Sequence, residues 1–314
     1  MGIVNNLKLG KSLTKSYKNL RRIEKEIKEE LRSYEFYENI DFEFNSENYL
    51  EVFKKSFFTL LMLSILSESG IKNERIISYG KIIFYLRQIV TSLDNILDKE
   101  KKGMIFINGF SNETIENSFL SLIFQDLMTK EILKISDGNS KSTYLILEKL
   151  YSIGKGESLR KRKLYEIYPD PEYIYEYIHK PIGGELLEIS LVVPKYLENN
   201  CKLEEFSRGL FKIGMSLQGI DDFFDMEEDF INNDINLATG KYIKKYNQEE
   251  KNIDFEKLEN EFIEDYLKEE ISEANEGFEI LEKFGFPIDN RDSKIILKKL
   301  FKIRGLEEYL YYIV

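Results

Sequence analysis

Cysteine is nearly missing from these 314 residues: Cys201 stands alone, so no disulfide can form within the chain, which suits a reducing cytosol. Histidine also occurs once, as His179, which argues against a helical di-iron centre built on paired Glu-x-x-His motifs. Proline is scarce, with five in all, and leucine, isoleucine, lysine and glutamate dominate, a composition that favours helices. No window alternates as a strand over more than a few residues. MIFING (Met104–Gly109) comes nearest and stands too isolated to found a sheet. Long apolar runs are missing too. FFTLLMLSIL (Phe57–Leu66) is about half a membrane span, and the first residues lack the apolar core of a signal peptide. Repeats, low-complexity tracts and flexible linkers are absent. The expectation is a cytoplasmic protein.

Net charge is −11, which argues against wholesale nucleic-acid binding. The charge is uneven. Residues 1–22 carry Lys8, Lys11, Lys15, Lys18, Arg21 and Arg22 and no acid, which leaves −17 on the rest. A basic amphipathic first helix fits weak contact with an anionic membrane surface. The favoured reading is a solvated face on a helix whose Leu13, Tyr17, Leu20 and Ile27 face the core.

Helical periodicity recurs from end to end. Helices are expected near 11–33, 47–68, 73–98, 112–135, 141–153, 170–197, 202–230, 254–285 and 293–312. Polar residues from Lys244 to Asp254 make the most disorder-prone segment. One all-α domain over 1–314, with a basic helical region 1–45 packed on it and about ten helices around a central cavity, is the simplest account.

What is abundant is carboxylate at two helix ends. SLQGIDDFFDMEEDFINND (Ser216–Asp234) follows an apolar helical stretch. Residues four apart share a helix face, so Asp221, Asp225 and Asp229 form a line of roughly 12 Å, with Asp222 beside it. Such like charges repel unless a cation offsets them, and hard oxygen ligands suit Mg²⁺. A second pair, Asp94 and Asp98 in DNILD, ends another apolar helix. Either cluster alone is usually a solvated face; two together, each closing a core helix, are not needed for folding. They are expected to face each other across a bundle, as in other carboxylate-lined helical cavities. All-carboxylate Mg²⁺ sites complete their shell with water and substrate phosphates, which points to a phosphorylated substrate.

LQGIDDFFD (Leu217–Asp225) resembles the second aspartate-rich motif of class I isoprenoid synthases, the trans-prenyl diphosphate synthases above all, and DNILD sits where their first motif would be, 127 residues earlier. Lys54 and Lys55 occupy the place of the family's Gly-Gly-Lys-Arg-x-Arg-Pro motif. Lys101, Lys102 and Gly103 resemble its Arg-Arg-Gly. Lys180, near the end of GESLRKRKLYEIYPDPEYIYEYIHKPIGGEL (Gly156–Leu186), stands where a phosphate-binding lysine belongs. The chain departs from the pattern at Asn95, which replaces a second aspartate and offers a neutral oxygen at best, and at the lysines 101 and 102, which lose the bidentate geometry of arginine. These departures keep diphosphate ionisation and weaken the case for isopentenyl diphosphate as second substrate.

The resemblance implies a prenyltransferase acting on a prenyl diphosphate with about three Mg²⁺ ions, held by Asp94, Asp98, Asp221, Asp225 and Asp229. Asp222 belongs to the same catalytic group. Lys180, Lys241 and Arg87 would add positive charge, and Gln218 would orient an oxygen by hydrogen bonding. The allylic cation needs a dry wall, for which Ile82, Phe84, Tyr85 and Ile89 are candidates. A terpene cyclase acting on one prenyl diphosphate shares this metal logic and the i, i+4, i+8 spacing of Asp221, Asp225 and Asp229. A catalytically silent regulatory subunit is the third reading. A homodimer stays open.

Overall fold

The computed structural model describes residues 2–44, 52, 55–99, 101–303 and 305–313. Its elements are helices almost throughout, as expected. The contacts group the chain into two compact units, one of Lys8–Leu145 with Ser190–Leu203, the other of Met1–Leu7, Ile146–Ile189 and Glu204–Val314. No helix among the described residues is long and apolar enough to cross a membrane.

In the first unit the N-terminal helix Gly2–Leu31 buries Leu20, Ile23, Ile27 and Leu31, a 3–4–4 spacing that puts one apolar stripe inward. Lys8, Lys11, Lys15, Lys18 and Arg22 are all exposed. Helix Asn73–Asp98 packs against helix Glu113–Ile135, with Tyr85 stacked on Phe124 at 5.9 Å between ring centres. The latter helix starts where the Asn112 side chain accepts from the amides of Thr114 (2.8 Å) and Ile115 (3.2 Å). Between these helices the core holds an ionic group. Lys81, 2% exposed, pairs with Glu131 at 2.6 Å and with Glu30 of the N-terminal helix, and the Tyr85 hydroxyl donates to the same Glu30. Tyr85 is therefore less an apolar wall residue than part of a polar tie joining three helices.

MIFING does found a sheet, a minimal one. Ile105–Ile107 pairs antiparallel with Ile40–Phe42, Ile40 opposite Ile107, and the buried Glu116 carboxylate accepts from the Ile107 amide at 3.0 Å. Its partner strand is three residues long and distant in sequence, so no local alternation announces it.

The second unit departs from the expected helices in three places. The segment expected as one helix over 170–197 breaks into Pro171–Ile174, an eleven-residue π-helix Tyr175–Glu185, Leu186–Glu188, a 3₁₀ turn and Val192–Glu198, the last of these belonging to the first unit. Pro181 lacks an N–H and its ring crowds the preceding turn, which a wide π turn accommodates. Ile174, Ile178 and Ile182 pack with Ile235 and Leu237 on its buried side. Its Gly183 lies against helix Cys201–Phe224 so closely that a Cβ would sit 2.7 Å from Gln218 Cβ and 2.9 Å from the Gly214 carbonyl. Helix Cys201–Phe224 then stops one residue before Asp225 (φ −93°, ψ 10°), and a short helix Met226–Ile231 follows. Finally, helix Leu237–Tyr246 and a 3₁₀ turn at Glu250–Asn252 occupy much of the stretch expected to be disorder-prone, where the Arg162 guanidinium grips Glu250 at 2.8 and 3.0 Å.

Candidate active site

The second aspartate motif closes helix Cys201–Phe224, and its four aspartates do not play one role. Asp222 and Asp229 turn inward. Asp222, 5% exposed, accepts from Gln218 Nε2 at 2.9 Å and from the Leu237 amide at 3.3 Å, and meets His179 Nδ1 at 3.2 Å. The other nitrogen of His179 faces the Met215 carbonyl at 3.0 Å. Both ring nitrogens thus face oxygen atoms of the same helix. Asp229 accepts from Arg160 Nη2 at 3.0 Å and from Asn236 Nδ2 at 2.7 Å. Burial pushes its carboxyl up to about 7 against the pull of Arg160 and Asn236, with Asp222 and Asp225 adding repulsion. Arg160 is raised as well: burial works against its charge, and Asp229, Glu157, Asp222 and Asp234 outweigh burial.

Asn236 holds this arrangement at one point. Its Oδ1 caps helix Leu237–Tyr246 through the Thr239 amide at 3.1 Å, while its Nδ2 donates to the Asp222 carbonyl at 2.6 Å and to Asp229. Asp221 and Asp225 are half-buried and one turn apart, the Asp225 amide bonding the Asp221 carbonyl at 2.9 Å. These two are more accessible than the inward pair. Lys180 bonds Glu176 and lies 5.3 Å over the Tyr175 ring. Lys241 donates to Glu269 at 2.7 Å, with Glu270 at 3.9 Å. Both lysines are held by carboxylates.

In the first unit, Asp94 is exposed on the last turns of helix Asn73–Asp98. The side chain of Asp98, and Lys54 altogether, lie outside the described residues. Lys55, Arg87, Lys101 and Lys102, drawn from three separate stretches of sequence, line one cavity of about 340 Å³ in this unit. Glu24 and Glu43 also reach its wall, so among the described lining residues cations outnumber acids four to two. Phe44, Val52, Met104 and Phe106 supply apolar surface. The Arg87 guanidinium donates to the Lys55 carbonyl at 2.9 Å and has no carboxylate partner among the described residues. Burial pulls it below its ordinary value, although it stays cationic. Glu24 is held by Arg21 Nη1 at 2.8 Å.

Among the described residues no three carboxylate, histidine or cysteine side chains converge on one point as a finished metal cage. The donor chemistry of Asp221 and Asp225, carboxylates one turn apart where helix Cys201–Phe224 ends, nevertheless fits a hard divalent cation that keeps water and phosphate oxygens. The sequence reading missed Arg160 and Asn236. An asparagine directly before LATGKY was the signal for a helix cap, though not for its second bond to Asp229.

No protein-family model matches the sequence, and no curated protein matches it. Solved structures do. A geranyltranstransferase from Thermotoga maritima is 17% identical, with 92% of this chain and 98% of that one covered and a TM-score of 0.56. A heptaprenyl diphosphate synthase from Staphylococcus aureus is 14% identical, with 91% and 98% covered and a TM-score of 0.56. A polyprenyl synthase from Caulobacter crescentus, complexed with calcium and isoprenyl diphosphate, is 11% identical, with 97% of each chain covered and a TM-score of 0.53. The fold is the all-α isoprenoid synthase fold.

Proposed function

We propose that this chain is a Mg²⁺-dependent trans-prenyltransferase that ionises an allylic prenyl diphosphate and joins the cation to isopentenyl diphosphate. The observation that carries the reading is the cationic cavity of Lys55, Arg87, Lys101 and Lys102. A terpene cyclase needs one diphosphate site, next to its metals. A cavity of this charge, walled on one side by Phe44, Val52, Met104 and Phe106, suits a second small diphosphate with a short hydrocarbon. The lysines that replace the family's arginines still bring the charge, as point cations.

In this reading Asp94, Asp98, Asp221 and Asp225 hold Mg²⁺, which when bound neutralises the diphosphate leaving group. Asp222 and Asp229 do not ligate; through His179, Gln218, Asn236 and Arg160 they fix the end of helix Cys201–Phe224 that carries Asp221 and Asp225. Arg87, Lys55, Lys101 and Lys102 bind and orient the second diphosphate. Lys180 and Lys241 exchange their glutamate partners for phosphate oxygens. The exposed cations Lys8, Lys11, Lys15, Lys18 and Arg22 rest on an anionic lipid surface, each contributing about 1 kcal/mol there. Sedimentation with phosphatidylserine vesicles that is lost in high salt is the expected result, and co-sedimentation with neutral vesicles alone would contradict it.

The test is incubation with geranyl, farnesyl and geranylgeranyl diphosphates, with and without isopentenyl diphosphate, in Mg²⁺. Elongated diphosphates are expected. In Arg87→Ala the KM for isopentenyl diphosphate should rise about 100-fold, as for loss of a buried charge-assisted contact, with release of pyrophosphate from the allylic substrate alone kept. Hydrocarbons or alcohols formed from one substrate, whether or not isopentenyl diphosphate is present, would make the protein a cyclase. No turnover of any substrate would favour the silent subunit.

A further inference from the structure

We infer that Asn95 is a positioning residue for the anion cavity: its side-chain amide fixes the backbone of Lys102 and so holds Lys101 and Lys102 on the cavity wall. The inference rests on the reading of that cavity as a diphosphate site. Asn95 is 6% exposed, although Asp94 beside it is exposed. Consecutive residues on a helix point about 100° apart, so the two neighbours serve different surroundings. Asn95 Nδ2 donates to the Lys102 carbonyl at 2.7 Å, and the Lys102 amide donates back to Asn95 Oδ1 at 3.0 Å. The second Nδ2 hydrogen goes to Asn117 Oδ1 at 3.0 Å. Asn117 cannot reverse its amide freely, because its own Nδ2 donates to the Glu113 carbonyl at 2.9 Å.

The loop so held runs between two residues at positive φ. It leaves helix Asn73–Asp98 through Lys99 in the left-handed region (φ 58°) and turns at Gly103 (φ 147°), a conformation that favours glycine. Its far end is tied by the Glu43 amide to the Met104 carbonyl at 2.9 Å. Between these points the paired bonds with Asn95 set where Lys101 and Lys102 stand. An aspartate at 95 could accept from the Lys102 amide. Its other oxygen would face the Lys102 carbonyl and Asn117 Oδ1, two acceptors, in a buried place. Asparagine is therefore the residue this loop requires, rather than a weakened metal ligand.

The test uses inorganic pyrophosphate in EDTA, titrated by calorimetry into the unaltered protein, Asn95→Asp, Asn95→Ala and Arg87→Ala, with thermal melts to confirm folding. Saturable binding by the unaltered protein is expected, about tenfold weaker in both Asn95 variants. In steady state the KM for isopentenyl diphosphate should rise by a similar factor, with kcat and the Mg²⁺ dependence unmoved. If Asn95→Asp lowers the Mg²⁺ needed for half-maximal activity and binds pyrophosphate normally, Asn95 occupies a metal position and the inference is overturned. If both Asn95 variants bind normally and Arg87→Ala does not, the cavity reading stands and the role of Asn95 falls. If the unaltered protein fails to bind, the cavity reading falls and takes the inference with it. Should Asn95→Asp not fold, Asn95→Ala, which buries no charge, decides.

Discussion

Asp221→Ala should lower turnover by about a thousandfold, on the scale of losing one strong electrostatic contact to the transition state, and should leave the protein as stable as before. The two halves of this expectation come from one geometry. Asp221 and Asp225 are half-buried one turn apart, with the buried carboxylates of Asp222 and Asp229 on the same stretch. Removing one anion relieves repulsion worth a few tenths of a kcal/mol per like-charged pair. Asp222→Ala should behave otherwise. It strips an acceptor from His179, Gln218 and the Leu237 amide and should cost about 1–3 kcal/mol of stability before any effect on rate is considered. Initial rates across a Mg²⁺ series, set beside urea unfolding, separate the two. Full activity in Asp221→Ala would remove this residue from the metal site and with it the main role assigned to the second motif.

Lys81→Ala should destabilise the protein by about 3–5 kcal/mol, the usual penalty for leaving a buried charge without its partner. The lysine is 2% exposed and Glu131 is 5% exposed, so water does not replace the lost ammonium. Lys81→Met together with Glu131→Leu should regain most of the loss, since the pair's net worth is smaller than the damage of breaking it. Burial pulls the Lys81 ammonium down, and its bonds to Glu131 and Glu30 outweigh burial, so its value lies above the ordinary one. Burial pushes the Glu131 carboxyl up, and bonds from Lys81 and Ser78 bring it below the ordinary value. The Lys81 contribution is thus complete below its unfolded value and lost as pH rises through the folded one. The Glu131 contribution is complete above its unfolded value, about 4.3, and lost as pH falls through the folded one. The stability gap between Lys81→Ala and the unaltered protein should therefore be widest between these limits and narrow in acid. A midpoint shift under about 1 kcal/mol at neutral pH would mean that Lys134, 3.5 Å from Glu131, takes over.

Helix after helix was readable because its buried face recurs at helical spacing, as Leu20, Ile23, Ile27 and Leu31 do. From sequence Gln218 is expected to orient an oxygen of ligand or substrate; the oxygen it bonds is that of Asp222, four residues on along the same helix, at 2.9 Å. What depends on distant sequence was not readable. Arg160 reaches Asp229 from a basic run that by itself reads as solvated charge, and Ile105–Ile107, within the nearest strand candidate, pairs with Ile40–Phe42, which shows no pattern of its own. Nor does the role of Asn95 follow from its neighbours Asp94 and Ile96, because the atoms it bonds are backbone atoms of a loop, which carry no side-chain signature. The division of labour among four adjacent aspartates is equally invisible in sequence. It is set by what lies opposite each carboxylate: His179 and Asn236 for the inward pair.

The π-helix Tyr175–Glu185 gives this stretch an unusual tolerance of length. Each of its turns holds about one residue more than an α turn. Deleting one residue there can be absorbed by tightening a turn, and everything downstream keeps its orientation. The same deletion within Cys201–Phe224 would swing the rest of that helix by about 100°, carrying Asp221 and Asp222 off their faces. One helix can change length at a turn that spares His179, Lys180 and Gly183, and the other fixes its reading frame.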